Sequence, residues 1–130
     1  MTVAHAPRSA AVVRRAVAAD LGAVISQDLL DDVLLAASEL IANAARHGTA
    51  LPGETMLVEW SCRQASVDVR VTDGGGEQRP RLRRGDHAAT GGRGLAIVDA
   101  LATTWGVERA DGTTTVWARL LGNNLVETHG

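Results

Sequence analysis

Residues 26–48 read SQDLLDDVLLAASELIANAARHG. Leu30, Val33, Leu34, Ala37, Leu40, Ile41 and Ala44 recur at helical spacing and make a broad apolar face. Ser26 or Asp28 can cap the start, and acids crowd the first turns. Arg46 and His47 precede Gly48, a charge order that suits the helix dipole. The pattern predicts one long helix. On it Glu39, Asn43 and His47 stand at i, i+4 and i+8, so they form a single stripe. Its flanks, Leu40, Ile41, Ala42, Ala44 and Ala45, are apolar or small. The stripe is either a solvated polar face or a site. As a site, Asn43 can offer its carbonyl oxygen to a hard cation such as Mg²⁺, which keeps most of its waters and leans on substrate phosphates. Glu39, one turn earlier, can take a proton from water or a hydroxyl.

Working outward, residues 8–21 form a shorter predicted helix, with Val12, Val13, Ala16, Val17 and Leu21 in phase and Ser9 as a cap. Beyond the long helix, Pro52 and Gly53 mark a loop, and residues 55–62 and 66–72 read as two strands joined around Gln64 and Ala65. Val67, Val69 and Val71 alternate with Asp68, Arg70 and Thr72, giving a hairpin with one wet face. Residues 73–92 hold six glycines, a proline and four arginines, and long segments of that kind are usually functional lids or disordered. A third helix is predicted over 93–102. Strands follow over 105–109 and 113–121, with an Asp-Gly turn between them. The expected fold is an α+β two-layer sandwich, a mixed, mostly antiparallel sheet covered on one face by three helices. One domain is expected over 1–121, with a lid at about 74–92 and a tail over 122–130.

Composition narrows the chemistry. All 13 basic residues are arginine, and Phe and Tyr are absent. A lysine-dependent phosphate loop, a Schiff base and the strand lysine of ordinary protein kinases are therefore excluded. With Trp60, Trp105 and Trp117 as the sole aromatics, a base-stacking platform for single strands is disfavoured. The net charge of −2 argues against general nucleic-acid affinity. Cys62 has no partner cysteine and is read as a plain strand residue. The first residues do not form a signal peptide, and no run of about 18 apolar residues exists. A cytoplasmic location with no membrane contact is expected. Trp105 and Trp117 are expected in the core, and the arginines at 79, 81, 83 and 84 on a solvated loop.

Two further constellations carry chemistry. In VTDGGG (71–76) a strand ends in Asp73, and the glycines permit close approach and positive φ. Asp73 can accept a hydrogen bond from an exocyclic amino group such as that of adenine, or it can simply end the strand in a turn. In TGGRGLAIVDAL (90–101) glycines run into a helix start, where free N–H groups and the dipole favour phosphate oxygens. Arg93 can add a charge-assisted contact. The dinucleotide fingerprint does not fit, because no strand precedes this stretch and its third glycine position is Ile97.

Taken in order, ELIANAARHG resembles the N box of the GHKL superfamily of ATPases, DGGG its first glycine box and GGRGL its second. The resemblance runs from about Arg8 to Leu121 and implies the Bergerat nucleotide-binding fold. NAARHG and GRGLAIVDAL look most like the small anti-sigma-factor serine/threonine kinases of bacteria. The lysine-free, Ala-rich composition suggests a high-GC genome, such as an actinobacterial one.

The resemblance implies ATP and Mg²⁺ as cofactors, with Glu39 as general base and Asn43 as the Mg²⁺ ligand, and His47 beside it in the nucleotide site. Asp73 would meet the adenine amino group, with Gly75 against the ring. Gly92, Arg93, Gly94 and Leu95 would open the helix that receives the phosphates. A threonine of the last strand would complete the pocket; the strand pattern gives Thr114, with Thr113 and Thr115 adjacent. The first glycine box departs from D-x-G-x-G at Glu77. The implied function is phosphorylation of a Ser or Thr on a protein antagonist by a protein that also binds a sigma factor. The alternative is a nucleotide-gated binding module without turnover. A homodimer is left open, and direct nucleic-acid binding is not expected.

Overall fold

The computed structural model describes residues 1–75 and 93–122, with backbone alone for Arg93 and Gly94. The elements are β1 (Thr2–Ala4), α1 (Ser9–Leu21), α2 (Gln27–His47), β2 (Thr55–Arg63), β3 (Ser66–Asp73), α3 (Arg93–Leu101), β4 (Thr104–Ala110) and β5 (Thr113–Leu121). The five strands form one sheet in the order β1-β2-β3-β5-β4, and every described pairing is antiparallel. The expected lid and tail fall mostly outside the described residues.

The strand period of two divides the side chains. Met56 and Val58, Val67, Val69 and Val71, and Val116, Ala118 and Leu120 point to one face and are buried with Trp105. Helices cover that face: Val13, Val17 and Leu21 of α1, Val33, Leu40 and Ile41 of α2, and Leu95 and Val98 of α3 complete the same core. With no Phe or Tyr to fill space, small and branched aliphatics make the core, each fully buried one contributing about 1.5–3 kcal/mol. The opposite face is open. Arg119 Nε donates to Asp68 Oδ1 at 2.7 Å across the neighbouring strands β5 and β3, and Arg70 of β3 donates to Glu108 of β4 at 2.8 Å, reaching over β5.

Three readings change. β1 was not expected: its three residues are too few to show a period, and they become a strand only by pairing with Thr55, Met56 and Leu57. Ser9 does not cap α1. Arg8 occupies that position with no side-chain cap, and Ser9 Oγ donates back to Ala4 O at 2.6 Å, tying the helix to β1. Trp117 is not a core residue. It shares the open face with Thr115 and Arg119, packed over Gly106, where a Cβ would stand 3.0 Å from its ring. Trp105 is buried as expected, its Nε1–H donating to Asp99 at 2.7 Å. Ser26 does cap α2, accepting from the Leu29 N–H at 3.1 Å.

Candidate functional site

α2 is the spine of the site, because it packs on β3, β5 and α3. Its apolar face is buried in the core, so residues at the edge of that face are only partly wet. Asn43 sits inside that edge, at 5% exposure. Its Nδ2 has no hydrogen-bond partner among the described residues. A buried donor left unmade costs about 1–3 kcal/mol, so this amide is suited to an oxygen arriving from outside the chain. Glu39 lies one turn earlier, half-buried, with no hydrogen bond or ion pair to a described residue. His47 is half-buried at the last residue of α2.

β3 delivers the second part. Asp73 is its final residue, on the helix-covered face and 1% exposed. Its Oδ1 accepts the Gly75 N–H at 2.7 Å, which folds the chain back over the carboxylate. Gly75 has φ +76°, a conformation that disfavours any side chain, and a Cβ there would meet Gly112 O at 2.9 Å and Thr114 Oγ1 at 3.1 Å. Register places Thr114 opposite Asp73, so the two share a face. Thr115 points the other way and is 2.6 Å from Thr72, oxygen to oxygen, while Thr113 Oγ1 donates to Ala110 O in the turn. Of the three threonines, Thr114 is the one beside Asp73.

The third part is the start of α3. Arg93, Gly94 and Leu95 form its first turn, with the Leu95 side chain anchored in the core at 1% exposure. First-turn N–H groups lack helical partners and favour anions. Gly92 and Glu77 lie outside the described residues. Two residues not singled out from the sequence also belong here. Thr49, just past α2, donates from Oγ1 to Gly75 O at 3.3 Å and accepts the Gly74 N–H at 2.7 Å. Arg109 pairs in register with Thr114 and lines an open cleft of about 360 Å³ with Gly75 and the β4–β5 turn. Neither position carried a local signal, since each acquires its place through contacts distant in sequence.

The order of these parts, a polar stripe on a core helix, an acid-glycine turn and a glycine-led helix, coincides with a family match. The family model of the histidine kinase-like ATPase domain matches residues 3–120. The chain belongs to this family. It is thus a nucleotide-binding domain of the GHKL type. The solved structure of the Acinetobacter baumannii histidine kinase AdeS is similar, with a TM-score of 0.50 and 20% identity. That match covers 73% of this chain and 48% of the AdeS chain, so it speaks for the fold alone. No functionally curated protein matches this chain.

The residues fit Mg-ATP. Among the described residues no group of three or more His, Cys, Asp or Glu side chains stands together. A Mg²⁺ ion here would rest on Asn43 and on the nucleotide's own phosphates, which its preference for retained water permits. The Asp73–Gly75–Thr114 corner offers a buried acceptor beside a surface without side-chain bulk, as a purine edge requires. Among the described residues no helix is long and apolar enough to cross a membrane.

Proposed function

We propose that this domain is a regulatory serine/threonine protein kinase that uses Mg-ATP, of the kind that phosphorylates an anti-sigma-factor antagonist and binds a sigma factor when free. The observation that carries the reading is the pairing on α2 of a buried Asn43, whose Nδ2 has no hydrogen-bond partner among the described residues, with Glu39 one turn away at the protein surface. Bound Mg-ATP supplies the phosphoryl group. Asn43 would hold the metal, and the first-turn N–H groups of α3 would receive phosphate oxygens. Asp73 and Thr114 would orient the adenine. Glu39, reachable from solvent, would take the proton of a serine or threonine hydroxyl. The Ser/Thr assignment and the sigma-factor and antagonist partners rest on the NAARHG and GRGLAIVDAL motifs.

The test is phosphate transfer. Radiolabelled ATP, Mg²⁺ and candidate antagonists should give a labelled antagonist, and Glu39→Ala should abolish the label while retaining ATP binding. ATP binding with no transfer to any antagonist would replace the kinase with a nucleotide-gated binding module, a reading favoured by Glu77 in place of the usual glycine.

A further inference from the structure

Asp73, Thr114 and Arg109 stand in one row across β3, β5 and β4, since register pairs Asp73 with Thr114 and Thr114 with Arg109. Arg109 is in phase with Trp105 and Val107, so it shares the helix-covered face of the sheet, while Glu108 turns to the open face and meets Arg70. Burial falls along the row: Asp73 and Thr114 are each 1% exposed, and Arg109, on the edge strand, is exposed. Two strand spacings, about 10 Å, separate the ends of the row, a gap that a long arginine side chain can close onto a base held at the far end. We infer that Arg109 stacks its guanidinium on the outer face of an adenine ring bound at Asp73. The inference rests on the nucleotide reading of the site and adds a base-contacting residue to it.

Three observations select a base, rather than a phosphate, as what Arg109 meets. The cleft of about 360 Å³ that it lines is shared with Gly75 and Thr114, the residues that flank Asp73 at the base corner. The cleft is also balanced in charge: Arg109 and Asp111 are the ionisable residues that line it, one of each sign, so no net positive charge selects an anion there. Finally, no large aromatic ring serves the base corner. Trp105 is buried and bonded to Asp99, Trp60 donates to Asp20 of α1 at 2.9 Å, Trp117 lies on the open face, and the chain has no Phe or Tyr. A guanidinium is the planar group that the row itself supplies, and it stacks on aromatic faces. Stacking uses the flat face, so hydrogen bonds that the same guanidinium makes in its plane to other groups are compatible with it.

Titration calorimetry of the whole chain with adenosine, ADP and ATP at one fixed Mg²⁺ concentration tests this. Arg109→Ala should weaken all three by the same factor, about three- to tenfold, the size of one partly exposed cation–π contact. Arg109→Tyr, which keeps a plane and removes the charge, should recover most of that loss. Arg109→Lys, which keeps the charge and removes the plane, should recover less of it. Arg109 is exposed on an edge strand, and unchanged thermal melting of each variant checks the fold. A loss that grows from adenosine to ATP, or recovery by lysine and not by tyrosine, would move the guanidinium to the phosphates and overturn the inference. Equal affinities in wild type and Arg109→Ala would overturn it and leave the nucleotide reading intact. A wild type that binds none of the three ligands would remove that reading as well.

Discussion

Thr49 and Gly75 hold the two halves of the site together. Thr49 Oγ1 donates to Gly75 O at 3.3 Å, and the Gly74 N–H donates to Thr49 O at 2.7 Å. The second residue beyond the helix of Asn43 is thereby clasped to the first residues beyond the strand of Asp73. The clasp leaves no room at Gly74, where a Cβ would stand 2.5 Å from Ala50 O and 2.9 Å from Thr49 Oγ1.

Gly74→Ala must therefore separate the two segments, because the nearest obstacle is backbone. A loss of about 1–3 kcal/mol in urea unfolding is expected, the usual range for overpacking. ATP affinity should fall with it. Thr49→Val keeps the backbone bond and removes only the long side-chain one, so its loss should be about 0.5 kcal/mol.

Asn43→Ala separates stability from binding. The substitution removes a buried donor that has no described partner, so little native interaction is lost. Unfolding free energy should stay within about 1 kcal/mol of wild type. In titration calorimetry the dependence of ATP affinity on Mg²⁺ should vanish. A retained Mg²⁺ dependence would remove Asn43 from the metal site.

Trp105 closes the packing between α3 and β4 while its indole N–H bonds Asp99 at 2.7 Å. Trp105→Phe keeps most of the buried area but leaves that hydrogen bond unmade. Chemical denaturation should register a loss of about 1–3 kcal/mol. Trp105→Ala should cost more, about 3–5 kcal/mol.

The ion pair of Arg119 with Asp68 should add no pH dependence to stability near neutral pH. The hydrogen bond to Asp68, aided by its charge, raises the Arg119 pKa above the ordinary guanidinium value. A raised pKa contributes stability that is fully present below the unfolded value and is lost only as pH rises through the folded one. That window lies in strong alkali. Thermal melts of Arg119→Gln and wild type should run parallel between mildly acidic and mildly alkaline pH, and a divergence there would point to another titrating group.

Much of this architecture is legible in local pattern. The α2 span, its Ser26 cap, both hairpins and the valine face of β3 all follow from periodicity and turn residues. Trp117 was misjudged although the signal was present. It is in phase with Thr115 and Arg119, so alternation placed it on the wet face, while its size suggested the core. β1 had no such signal, since three residues cannot display a period.

The sequence by itself determined every element but β1, and their order, because helix and strand periods and glycine turns act over a few neighbours. It singled out Glu39, Asn43 and Asp73 as candidate site residues on those grounds, and Gly75 through the family resemblance. Only the tertiary structure decided which threonine stands beside Asp73, that Thr49 clasps Gly75, and that Arg109 stands in one row with Thr114 and Asp73. Each of these depends on strand register or on packing between segments far apart in the chain, and such contacts form only when the core closes.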